Sequence, residues 1–253
     1  MAGSIAFDAR FAERHPLFWP IAPAARAFAE ERDWPPVETY GRAFGHADHA
    51  ASAPVRFEPA AAPRRTRARR GPVDRASLYD ARIVGGVVPT RPRSWHDFLN
   101  ALVWATFPRA KRALHERQHR VLDARVAEGA RVLPSTRSRE HDALALIDEG
   151  GVVLLERGAT THLVVFGHAL YEGLVLGRPA PTACGLRARV DARGAAEARE
   201  VAGASEPADE AALVRAADAT LAEHLREATL DPARLLRVSM MKHVSCVVAS
   251  RPA

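Results

Sequence analysis

RPRSWHDFLNALVWATFPRAK, residues 91–111, is the stretch whose reading decides the fold of this chain. Ser94 has the side chain of a helix N-cap, and Asp97 three positions on completes a capping-box pattern. Leu99, Leu102, Val103 and Phe107 then recur at helical spacing, and Pro108 either ends that helix or opens a second one at its first turn. A second helix is expected over about 109–128, with Ala110, Ala113, Leu114, Val121 and Leu122 inward, charges outward, and Gly129 as its stop. His96, Asp97 and Asn100 stand at the mouth of the first, apolar and tryptophan-rich helix. Groups able to do chemistry therefore lie beside residues that must be buried.

Upstream, residues 8–43 read as a helical segment rich in aromatics (Phe11, Phe18, Trp19, Phe28, Trp34), broken into short pieces by Pro16, Pro20, Pro23, Pro35 and Pro36. Residues 44–77 form an Ala-, Pro- and Arg-rich linker, interrupted by the strand-like Val55–Glu58; its part 59–77 has too little apolar surface to order itself and is expected to be partly mobile. Leu78–Val84 reads as a strand, turned by Gly85-Gly86. Downstream, residues 142–155 read as two apolar strands around an Asp148-Glu149-Gly150-Gly151 turn, with a helix through 140–147 as the competing reading. Leu163–Phe166 is strand-like, His168–Leu176 fits a short helix, 191–208 a loop, 209–227 an amphipathic helix, and 235–250 one or two closing strands. Helices and hairpins that do not alternate predict an α+β fold, helices packed on a small, mainly antiparallel sheet or hairpins. The expected organisation is an N-terminal helical segment (1–43), the linker (44–77) and a main domain (78–253).

A composition of 47% apolar and 26% charged residues is that of a globular chain. No apolar run reaches the length of a membrane span, and the N-terminus lacks the basic-then-apolar pattern of a secretory signal. Cys184 and Cys246 make no metal-type spacing and are expected to be reduced, so the cytoplasm is the expected compartment. The net charge of +6 is local: five of 36 basic residues (Arg64, Arg65, Arg67, Arg69, Arg70) sit in the linker, and without them 31 basic face 30 acidic residues. That segment, with the basic helix 109–125 (Arg109, Lys111, Arg112, Arg117, Arg120), is what a nucleic-acid-binding module would use.

Three constellations bear on chemistry. His96 and Asn100 are one helical turn apart on one face, with Asp97 about 100° around the axis. The histidine suits a base or metal ligand, the carboxylate its orienter, the amide a substrate-positioning group; the same residues equally suit a helix cap and satisfied loop carbonyls. His168 and Glu172 are four apart and suit a metal site, an acid–base pair or an ordinary surface contact. Asp148 and Glu149 could supply the acidic half of a site if their turn folds over the His168 helix. His115-Glu116-Arg117-Gln118-His119 spells the zinc-protease pattern. Its surroundings (Arg112, Arg117, Arg120, Arg125) read as a charged exterior with no clear third ligand, so that pattern is set aside.

Residues 88–111, 142–151 and the run Phe166-Gly167-His168-Ala169-Leu170-Tyr171-Glu172 together resemble an uncharacterised bacterial family, domain of unknown function 3025. The resemblance covers about 75–240. It singles out Trp95, His96, Asp97, Asn100, Trp104, Pro108, Lys111, Asp142, Asp148, Glu149, Gly167, His168 and Glu172, and it implies no activity. The expectation is a hydrolase-like enzyme with a polar cleft formed by His96, Asp97, Asn100, His168 and Glu172, acting on a small or anionic substrate. A divalent metal would draw its ligands from His96, Asp97, His168, Glu172 and Asp148. A nucleic-acid-binding module and a non-catalytic structural or protein-interaction domain stand as the alternatives.

Overall fold

In the computed structural model, which describes residues 6–46, 55–60, 71–157, 160–178, 182–189, 210–227 and 229–239, Ser94 caps a helix as its sequence requires. Its backbone is extended (φ −123°, ψ 116°) and its Oγ accepts from the Asp97 N–H, opening the helix Trp95–Thr106. Two earlier helices precede it, α1 (Ala22–Ala25) and α2 (Tyr79–Val84), so this one is α3. Phe107, which precedes a proline, leaves helical geometry (φ −129°, ψ 59°), and Pro108 starts α4 (Pro108–Asp123). The first N–H groups of α4 are capped from a distance: Asp218 accepts from Arg109 N and Ala110 N.

α3 is apolar on nearly every side and lies at the centre of the core. The N-terminal prolines have the expected effect. They leave α1 and a series of 3-10 turns (Phe11–Glu13, Pro16–Phe18, Arg26–Phe28, Val37–His46) rather than long helices. The aromatics of these turns close on Phe98: Phe11, Phe28, Trp34 and Tyr40 all lie within about ring-contact distance of it, as does Trp95 from its own helix. Trp19 Nε1 donates to Leu163 O, tying this segment to the sheet region.

The strands are β1 (Arg56–Pro59), β2 (Val87–Thr90), β3 (Gly151–Arg157), β4 (Thr160–Val165), β5 (Thr182–Arg189) and β6 (Leu236–Ser239). β1 and β2 pair in parallel; the larger sheet has the order β4-β3-β5-β6, antiparallel at β3–β4 and β5–β6 and parallel at β3–β5. With the helices α5 (Arg139–Gly150), α6 (His168–Val175) and α7 (Glu210–Glu227), this is the α+β class.

Two local expectations are corrected. Residues 142–155 are not a hairpin. Ser138 caps a helix, its Oγ accepting from His141 N, and Ala143, Leu144 and Ile147 bury one helical face, so the competing helical reading holds through Gly150. Gly150-Gly151 is the break between that helix and β3, and the hairpin is β3–β4. Leu78–Val84 is likewise not a strand: only Asp80 and Ile83 are buried, three apart, which is one turn of α2. The basic segment Arg64–Arg70, the 191–208 loop and the closing stretch beyond Ser239 lie outside the described residues.

Candidate functional site

The ends of three helices meet. His96 is in the first turn of α3, Glu149 is near the last residue of α5, and His168 is the first residue of α6. Gly167 sets this junction. Phe166 N and Gly167 N both donate to Gly151 O, at 2.9 and 2.8 Å. A Cβ on Gly167 would lie 2.5 Å from Glu149 O and Gly151 N and 2.6 Å from Gly150 N. All three obstacles are backbone, so only glycine lets α6 begin against the end of α5.

His168 Nε2 is 3.0 Å from His96 Nε2 and 3.4 Å from Glu149 Oε2. One ligand atom from each of His96, Glu149 and His168 lies within 4.8 Å of the other two. Two ligands about 2.1 Å from a common ion are separated by roughly 3.0 Å at a right angle and roughly 3.4 Å at the tetrahedral angle. Both separations from His168 fit two ligands of one cation, and the 3.0 Å one equally fits an N–H···N hydrogen bond between the two rings. Glu149, whose side chain is 49% exposed, is the ligand with room to swing inward and opens the site to solvent.

Each group is prepared for this role. Burial dominates at His168 and lowers its pKa to about 3, so the ring is the neutral, ligating form at neutral pH. Glu172, one turn further along α6, sits 3.4 Å from His96 Nδ1, an acceptor for the tautomer with the proton on Nδ1 and the lone pair on Nε2. Burial raises the Glu149 carboxyl, opposed by His96. Beside the trio, burial of Asp148 works against its ionisation, but Lys111, His168 and His115 outweigh it and hold the carboxyl below its ordinary range. Lys111 Nζ is 2.6 Å from Asp148 Oδ1, and the Lys111 side chain is 0% exposed.

The structure thus brings His96, His168 and Glu172 together, but pairs them differently from their sequence neighbours. Asp97 does not orient His96. Its carboxylate takes the Arg91 backbone N–H at 2.6 Å and the Arg91 guanidinium at 2.7 Å, as a clamp on the start of α3. Asn100 offers no atom to the trio; its Oδ1 is buried without a hydrogen-bond partner. Asp148 is bound to Lys111 rather than standing among the three ligand atoms. Glu149, absent from the expected ligand set, takes the place of Asp97; its neighbourhood to Gly150-Gly151 was the signal, masked by the hairpin reading.

The His115–His119 pattern forms no ligand trio among the described residues, although not for the expected reason. This part of α4 is largely buried rather than a charged exterior: His115 is 2% and Arg117, on the opposite side, 9% exposed. His115 Nδ1 is 3.0 Å from Asp80 Oδ1, its ring stacks on Trp104 (5.5 Å, 5°), and Glu116 is held by Arg112 at 2.7 Å. Arg117 binds Glu140 and Leu225 O. Lys111, Arg112 and Arg117, counted in the expected basic face, are therefore committed within the fold.

A family model described as protein of unknown function (DUF3025) matches residues 68–161 of the chain. The match takes in His96, Lys111, Asp148 and Glu149 and ends before His168 and Glu172. No curated protein and no solved structure matches the chain.

Proposed function

We propose that this chain is a hydrolase that uses a divalent metal ion, held by His96, His168 and Glu149, to act on a small or anionic substrate. The observation that carries the reading is the convergence of two imidazole Nε2 atoms and one carboxylate oxygen within 4.8 Å at the junction of α3, α5 and α6. Two histidines and a glutamate are a donor set of catalytic rather than structural zinc sites, because three protein ligands leave a position for water. An ion so held lowers the pKa of its bound water to about 7 and polarises a carbonyl or phosphoryl oxygen beside it. Glu172 keeps His96 in the ligating tautomer. Asn100, one turn along α3 from His96, would position a substrate or water if its buried, unpaired Oδ1 is reached on binding.

The test is metal-dependent turnover. The protein is stripped with chelator, reloaded in turn with Zn²⁺, Mn²⁺ and Co²⁺, and assayed on ester, amide and phosphoester panels. The reading expects turnover that returns with metal and is lost in His96→Ala and His168→Ala while the melting temperature stays within a few degrees. Turnover indifferent to chelator, or no turnover with any metal, contradicts it.

A second reading has its own support. The same donors, two imidazoles and one carboxylate, would also hold Fe²⁺, as in the facial site of ferrous oxygenases. Fe²⁺-dependent oxygen consumption, with no hydrolysis under any metal, would favour it.

A further inference from the structure

We infer that Asp148, anchored by Lys111, is the positioning residue for His168: it accepts the Nδ1 proton and presents the Nε2 lone pair to the metal. This rests on the reading of His96, His168 and Glu149 as a metal site. If Nε2 of His168 is the ligand, Nδ1 must carry the proton, and that N–H needs an acceptor. His168 Nδ1 is buried without a well-formed hydrogen bond, and Asp148 faces it with both its Oδ1, 3.7 Å away, and its backbone carbonyl. A shift of less than about 1 Å closes this gap to a hydrogen bond. His96 has the same arrangement on the other side, with Glu172 at 3.4 Å from its Nδ1. Both imidazoles thus have a carboxylate behind them, the usual support of metal-ligating histidines.

Lys111 is what makes Asp148 fit for this. Its ammonium is fully buried, 2.6 Å from Asp148 Oδ1, with the Trp104 and Phe166 rings 5.6 and 6.0 Å away. A buried ion pair in apolar surroundings is a poor way to gain stability compared with apolar packing of the same volume. It does keep a carboxylate charged and fixed in place beside His168.

Co²⁺ titration of the metal-stripped protein, followed by the visible absorption of the bound ion, tests this. Asp148→Asn is expected to weaken Co²⁺ binding about 10–100-fold and to shift the absorption band. Asp218→Asn, at a buried carboxylate outside the cluster, is expected to leave both unchanged. Should Asp148→Asn not fold, the wild-type protein carries the test alone: loading with Zn²⁺ is expected to produce a slowly exchanging, strongly downfield His168 Nδ1–H resonance in ¹⁵N-histidine spectra. Co²⁺ binding that needs His168 but is indifferent to Asp148→Asn, or a Zn²⁺-loaded His168 without that resonance, overturns the inference and leaves the metal reading standing. Wild-type protein that binds no Co²⁺ overturns both.

Discussion

Glu149 and His119 make opposite predictions at the scale of single residues. Glu149 is a half-exposed carboxylate whose one recorded task is its approach to His168. Glu149→Gln is therefore expected to weaken divalent-metal binding at least tenfold while changing stability by no more than about 0.5 kcal/mol, the usual range for an exposed position. His119 belongs to the sequence pattern that most strongly suggests zinc, yet joins no ligand trio among the described residues. His119→Ala should leave metal content unchanged, as read by elemental analysis after dialysis. The reverse outcome, metal lost with His119 and retained without Glu149, would move the site to α4. At this scale the sequence showed much: His96 faces both His168 and Glu172. What it hid was partnership. His168 and Glu172 look like a pair at four-residue spacing, and His96 and Asp97 look like a pair as neighbours. Helical geometry, however, turns Asp97 toward Arg91 and Glu172 toward His96.

The elements were legible where a single residue type forces the backbone. Ser94 and Pro108 each mark a helix start that the structure reproduces, whereas Ser138, which caps α5, was not read as one. Legibility failed at 142–155 because alanine and leucine suit both helix and strand, and two glycines suit both a hairpin turn and a helix stop. That misreading left Glu149 only as a possible acidic half of a site and out of the ligand set, since its place depends on α5 ending where α6 begins. Gly167 secures this contact, with ordinary φ but no room for a Cβ. Gly167→Ala is expected to cost about 1–3 kcal/mol by overpacking and to abolish metal uptake, because the backbone of α5 must retreat from His168. A variant with unchanged melting temperature and metal affinity would contradict this.

Asp218 of α7 gives an element-level prediction in pH. Burial raises its pKa from 3.8 to about 6, against the pull of the Ala110 and Arg109 N–H groups. A carboxyl raised in the folded state favours folding in its protonated form. That contribution is complete below the unfolded value of 3.8 and is lost as pH rises through about 6. The loss is on the order of 2–3 kcal/mol. Denaturant unfolding at pH 4 and pH 7 should show wild-type stability falling, relative to Asp218→Asn, by this amount; parallel behaviour of the two proteins would refute the assignment.

For the whole molecule, the N-terminal turns and α3 share one core. Trp19 and Trp34 report on the first, Trp95 and Trp104 on the second, and Phe98 joins them. Phe98→Ala is expected to destabilise by about 3–5 kcal/mol and to unfold in one fluorescence transition, whereas two separated transitions would mean that the turns fold apart from the rest. No helix among the described residues is long and apolar enough to cross a membrane. The α+β class followed from elements that do not alternate, but strand order did not. The parallel β3–β5 pair depends on a crossover that no local pattern announces.

This core holds the first turn of α3 against α6, and the account's central claim is that the junction binds a metal. The most direct test is the stoichiometry of Co²⁺ binding to the metal-stripped wild-type protein, measured by calorimetry beside His96→Ala and His168→Ala. The account predicts one ion per chain in the wild type and none in either variant, with all three proteins folded. Binding that survives in both variants, or no binding in the wild type, would contradict it.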